Sequence, residues 1–211
     1  MNTQPVLEPW IDGRHVWRGR TPRVSSGAQL PTGWAALDDI LPGGGWPAAA
    51  LTEILLPLDG VGELRLLWPS LAHLSQQGPV VLIAPPYALL APAWHAAGVS
   101  LDSLQVIRPH VGNERSLDKS DRQALWAAEQ CLRSGACRAV VCWPQWADDR
   151  ALRRLQVAAE SGQCPGFLFR SIQAAHNPSP AALRLQLHVR PAEVQVLKCR
   201  GGWAGQRLRL V

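Results

Sequence analysis

Apolar and polar positions along this 211-residue chain fall into short, continuous apolar runs separated by segments of helical period. The run LTEILL at 51–56 reads as a strand buried on both faces, because a half-buried strand would alternate. A turn, PLDGVG at 57–62, follows it. Leucines at 64, 66 and 67 then predict one helix over 62–77, ended near Gly78. Further short apolar runs are PVVLIA at 79–84, LQVI at 104–107, AVVCW at 139–143 and GFLF at 166–169. Between them the pattern predicts a helix around 90–97 closed by Gly98. An amphipathic helix over 121–134 carries Leu125, Ala128 and Leu132 on one face, and Gly135 stops it. Another helix covers 147–161, where Asp148-Asp149 suit the helix N-terminus. Residues 110–121 read as polar and mobile and 174–181 as a loop. The alternating segments 183–189, 194–198 and 206–211 read as antiparallel strands. Upstream, Thr32-Gly33 can begin a short helix through Trp34, Leu37 and Ile40, broken by Gly43-Gly44-Gly45 as a tight connection. Strands that alternate with helices predict an α/β fold: a mostly parallel, twisted sheet with helices on both faces, extended by antiparallel strands at its C-terminal end. Residues 29–211 form one domain in this reading. Residues 1–28, polar and dotted with Pro and Gly, form an extended arm.

The stretch at 51–68 has the order strand, glycine turn, helix. That is the architecture of a phosphate-binding loop, in which backbone N–H groups and a helix N-terminus hold a phosphate. The motif G-x-x-x-x-G-K-[ST] requires a lysine after the second glycine and a hydroxyl after that. Gly60 and Gly62 keep the turn. Pro57 stands at the first glycine position, Glu63 at the lysine and Leu64 at the hydroxyl. Two like charges about 4 Å apart repel by about 1–4 kcal/mol at effective dielectrics of roughly 80 to 20. A triphosphate would meet that repulsion with no lysine to offset it, and Leu64 cannot ligate magnesium. The stretch reads as the shell of a nucleotide site without its chemistry, so no cofactor and no ATPase activity are expected.

Hydrophobic content of 47% suits a globular domain. No apolar run reaches the roughly 18–20 residues that span a bilayer. MNTQPVLEPW lacks a charged segment followed by an apolar one, so no secretory signal is expected. Cys131, Cys137, Cys142, Cys164 and Cys199 are odd in number and scattered. They read as reduced thiols in a cytoplasm, not as a disulfide framework or zinc site. His73, His95 and His110 lack neighbours at ligand spacing, so no metal site is expected. A net charge of +5 permits a nucleic-acid or acidic partner without requiring one. The ten tryptophans fit either interfaces or a codon bias. In the arm, Trp17 lies between His15-Val16 and Arg18; it either docks on a partner or lies along the domain's own surface. Arg150, Arg153 and Arg154 share one side of a helix, facing either a partner or solvent. Arg184, Arg190, Lys198, Arg200, Arg207 and Arg209 lie on the terminal strands, where some must share a face, and are a second candidate contact surface.

Several stretches, in order, resemble the RecA core. LPTGWAALDDILPGGGWP is similar to its opening; LIAPPYALLAPAWHAAGVSLDSLQVIRP can be laid on it without a gap. SGACRAVVCWP matches the strand that carries an aspartate supporting magnesium. GVGELRLLWPSLA, IAPPYALLAPAW, ALWAAEQCLRSGAC, LRRLQVAAESG and KCRGG resemble the ImuA family, RecA-related proteins associated with translesion DNA synthesis. The resemblance covers about 30–211 and implies a RecA-like core. It places Glu63 at the loop lysine, Pro86 at the glutamate that activates water and Trp143 at the magnesium-supporting aspartate. It also places Lys198 and Arg200 where a neighbouring subunit's cations would cover a nucleotide, and SIQAAHNPSPA, without Lys or Arg, at a DNA-contacting loop. Direct DNA binding is left open. The implied role is non-catalytic: an SOS-response accessory protein that binds an ImuB-type Y-family-like protein, an error-prone replicative-type polymerase subunit and RecA. Trp17, Arg18, Arg153, Arg154, Lys198 and Arg200 are the candidate partner contacts. The alternative implied by the same core is a SulA-like cell-division inhibitor that binds FtsZ.

Overall fold

The computed structural model describes residues 30–109, 117–189 and 192–209. The expected arm, with Trp17 and Arg18, lies outside them, as does Arg190. The strands are β1 (Leu51–Leu56), β2 (Val80–Ile83), β3 (Leu104–Ile107), β4 (Ala139–Cys142), β5 (Gly166–Ser171), β6 (Leu183–His188), β7 (Glu193–Cys199) and β8 (Arg207–Arg209). The helices are α1 (Ala35–Asp38), α2 (Trp68–Ser75), α3 (Ala91–Ala96), α4 (Leu117–Arg133) and α5 (Asp149–Gly162). Among the described residues the strands form one eight-stranded sheet of order β3-β2-β4-β5-β1-β6-β7-β8. From β3 to β6 every pairing is parallel; β7 and β8 add antiparallel. The fold is therefore mixed α/β, with the antiparallel extension at the C-terminal end.

Every residue of β1, β2 and β4 is buried, as the apolar runs of β2 and β4 require; β1 buries Thr52 and Glu53 as well. One face of the sheet packs Ile54, Leu82, Phe167 and Phe169 against Leu37, Leu71 and Trp94 from α1, α2 and α3. The other packs Leu51, Val81 and Leu168 against Leu125 and Leu132 of α4 and Leu155 of α5. At the start of α5, Asp148 Oδ1 accepts the Ala151 N–H at 2.6 Å, the N-terminal role its sequence position suggests. Near α1, the Thr32 N–H donates to Asp38 Oδ1 and the Trp34 N–H to Thr32 Oγ1, which holds the short helix against the core.

Two expectations need correction. The single helix over 62–77 is two pieces, a 3-10 turn (Glu63–Leu66) and α2, broken at Leu67. Pro69 sets that break, because a proline without an N–H fits only the first turn of a helix. The three C-terminal segments do pair antiparallel with one another, and β6 joins the sheet parallel to β1. Residues 172–182 carry the chain past β1, so β6 starts at the same end, with Thr52 opposite Leu183. Finally, α4 begins at Leu117, so the end of the segment read as mobile is helical; residues 110–116 lie outside the described residues.

Candidate functional site

The carboxyl ends of β1, β2 and β4 lie at one end of the parallel sheet, where open α/β sheets bind ligands. The loop after β1 turns on two glycines. Gly60 and Gly62 hold φ of +79° and +86°, the left-handed region that side chains disfavour. Glu63, 4% exposed, turns back into this loop, and the Gly60 N–H donates to its Oε1 at 3.4 Å. The chain's own carboxylate thus takes an amide that such a loop would offer to a phosphate.

The segment after β2 lies over the loop. Ala84 closes the strand with φ +52°, uncommon for a residue with a Cβ, while its N–H donates to the Ile107 carbonyl at 2.9 Å. The Tyr87 hydroxyl donates to the Asp59 carbonyl at 3.2 Å, and the ring lies about 3.0 Å from where a Cβ on Gly60 would sit. Arg108, past the end of β3, holds the segment by donating to the carbonyls of Pro85 and Tyr87 at 3.3 and 3.2 Å. At the end of β4 the Trp143 N–H donates to the Ile83 carbonyl at 3.1 Å, and its indole stacks on Phe169 with centroids 5.1 Å apart.

Glu63, Pro86 and Trp143, far apart in sequence, line one recess of about 180 Å³ together with Trp68, Tyr87 and Trp94. No lysine or arginine is among its lining residues. Walls of this kind suit an apolar group, and the one carboxylate opposes an anion. A larger recess, about 500 Å³, lies at the opposite end of β1 among residues 41–50, Leu183 and Arg200, away from the strand carboxyl ends. Among the described residues no three His, Cys, Asp or Glu side chains gather as a metal-ligand set.

The second charged feature is one the sequence reading did not single out. Glu53, fully buried in the middle of β1, pairs with Arg170 Nη1 of β5 and, at 2.7 Å, with Arg184 Nε of β6. Arg170 also donates to the Ala147 carbonyl, and Arg184 to the carbonyls of Ala174 and Asn177. A signal was available: a glutamate inside LTEILL cannot be buried without a cation.

Several of the basic candidates are engaged by partners within the chain. Arg184 is withdrawn from the terminal-strand group, since it is buried on Glu53. Lys198 donates to the Ser179 carbonyl at 2.6 Å; burial, then the charges of Arg200 and Arg184, lower its pKa. Arg200 pairs with Glu160 at 3.2 Å, and Arg209 with Glu193 at 3.4 Å. On α5, Arg153 pairs with Asp149 at 2.8 Å and Arg154 with Glu129 of α4 at 3.1 Å. Arg150, Arg153 and Arg154 do share the exposed side of α5, as their spacing suggests. No described helix is long and apolar enough to cross a membrane.

Over part of its length the chain is similar in sequence to RecA proteins. It is 34% identical to RecA of Symbiobacterium thermophilum over 113 residues, 53% of this chain and 29% of that one. It is 31% identical to RecA of Treponema denticola over 113 residues, 53% of this chain and 25% of that one. It is 27% identical to RecA of Borrelia hermsii over 130 residues, 61% of this chain and 34% of that one. The aligned part spans about a quarter to a third of the length of these curated relatives. Among solved structures the chain is similar to SulA from Pseudomonas aeruginosa, with a TM-score of 0.46 and 27% identity, covering 59% of this chain and 99% of that one. No protein-family model matches the chain.

Proposed function

We propose that this chain is a non-catalytic, RecA-like accessory protein of SOS-induced translesion DNA synthesis that acts in the cytoplasm by binding. The observation that carries the reading is the recess itself. Glu63, Pro86 and Trp143 stand at the three positions where the RecA resemblance expects a lysine, a glutamate and an aspartate, and they line one apolar pocket. A cation, a base and a metal support are replaced together by groups that cannot do those jobs. The retained core supports a role as a binding module. Its partners in this reading are an ImuB-type protein, an error-prone replicative-type polymerase subunit and RecA. A RecA-like subunit that cannot turn over ATP can occupy one side of a filament interface and so modulate the filament.

The test is co-elution of the purified chain with the ImuB-type protein of the same organism on a sizing column. A stable joint peak is expected. Separate peaks would contradict the reading, and FtsZ, the partner of the SulA-like alternative, would then be the protein to mix in. Unchanged RecA filament length and ATPase rate at substoichiometric protein would remove the filament role alone.

A further inference from the structure

The larger recess, at the end of β1 away from the strand carboxyl ends, sits where the described chain begins. Leu30, the first described residue, forms an isolated antiparallel bridge with Trp46, whose N–H donates to the Leu30 carbonyl at 2.7 Å. The approach is close, since a Cβ on Gly45 would lie 2.2 Å from that carbonyl oxygen. Gly45, Trp46 and residues 47–50 are walls of the recess. An antiparallel bridge points the chain that enters Leu30 along the chain that leaves Trp46, toward residues 47–50. Leu41, Pro42 and Leu183 complete a mainly apolar lining. Arg200 is the one charged residue in it; its side chain is 56% exposed and pairs with Glu160 at 3.2 Å. The volume, about 500 Å³, lies within the roughly 300–1,000 Å³ of pockets that take a ligand.

We propose that residues 6–11 of this same chain, VLEPWI, fold back into the recess, with Trp10 and Ile11 as the anchors. Two features select this stretch from the 29 residues that precede Leu30. It is the most apolar of them, with Glu8 its only charge. The other tryptophan, Trp17, is surrounded by Arg14, Arg18, Arg20 and Arg23, and a guanidinium on the rim repels these where it attracts Glu8.

The tether is long enough. The 18 residues 12–29 reach roughly 60 Å when extended, more than a return to the rim requires. Closing a loop of that length costs little more than closing a shorter one, because the entropy lost grows with the logarithm of length. An indole and an aliphatic side chain are the groups that gain most by leaving water for walls of this kind. This inference does not rest on the proposed function.

Cys199 reports the docking, because it lines the recess and is half-buried. Cleavage after glutamate isolates it in peptide 194–211, which holds no other cysteine. The full chain, reduced, is pulsed with N-ethylmaleimide under native conditions, and the labelling of that peptide is followed by mass. Replacing both anchors, Trp10→Ala with Ile11→Ala, should speed Cys199 labelling about tenfold. Glu8→Lys should speed it about twofold, because the charge it answers is exposed. Trp17→Ala should leave it unchanged. Cys131 and Cys137, half-buried on the other face of the sheet, should keep their rates in every variant. A separate variant, Trp10→Cys, mildly oxidised, should join peptide 9–53 to peptide 194–211 within one chain. The proposal is overturned by a Cys199 rate that the double variant leaves unchanged, by release on Trp17→Ala instead, or by a rise that Cys131 and Cys137 share. It is equally overturned if the Trp10→Cys link fails to form, or forms between chains and so seats the segment on a second copy.

Discussion

Glu53 and Glu63 are both carboxylates buried on the same strand and its following loop, and they are held in opposite ways. Glu53 lies inside the sheet between two guanidinium groups, Arg170 and Arg184. Glu63 lies at the sheet's end, faces the Gly60 N–H, and borders a recess with no lysine or arginine in its lining. The first is a sealed internal contact, where charge is matched by charge. The second takes a loop amide of the kind that a phosphate loop offers to an outside anion. In the proposed reading this loop is a phosphate loop whose central charge is inverted.

That contrast is broken most forcefully at Glu53. Glu53→Ala leaves two buried arginines without a counter-charge and should cost about 4 kcal/mol in chemical denaturation. A loss below about 1 kcal/mol would mean that the arginines relax to water and the site is not sealed. Trp143→Ala should cost about 3 kcal/mol by the same measurement, less than the largest tryptophan truncations because it adjoins an existing recess. Glu63→Lys reverses the charge in the loop and points a buried cation at the Gly60 N–H, at a cost of about 2 kcal/mol. It should not confer nucleotide binding, because Pro86 and Trp143 are unchanged. Gly60→Ala strains a φ of +79° and brings a Cβ to about 3.0 Å from the Tyr87 ring, so thermal unfolding should report a loss of about 1–2 kcal/mol. At the small end, Arg153→Ala removes an exposed pair with Asp149 and should stay within about 0.5 kcal/mol of the unaltered chain.

Local signals were legible in the sequence because they depend on neighbours along the chain. The runs at 51–56, 79–84 and 139–143 became β1, β2 and β4, and Asp148 caps α5. Pro69 was equally local, and it shows why leucine period alone mis-set the helix over 62–77: the backbone veto outranks the apolar pattern. The antiparallel pairing of the C-terminal strands was legible from their alternation, whereas the parallel seam of β6 with β1 depends on how 172–182 crosses β1. The fates of Arg184 and Arg154 were hidden in the same way. Their partners, Glu53 and Glu129, are remote in sequence, and a row of like charges reads as a surface until they are placed. Glu63, Pro86 and Trp143, the three positions the RecA resemblance singles out, could be named one by one, but their meeting in a single recess is a property of the parallel strand ends.

The central proposal is that this recess does not bind nucleotide. Calorimetric titration of the full chain with ATP and magnesium, followed by ADP, tests it most directly. The account predicts no heat beyond dilution at millimolar nucleotide. Saturable, magnesium-dependent binding in the micromolar range would contradict it, because Glu63 would then have to give up the Gly60 N–H to a phosphate.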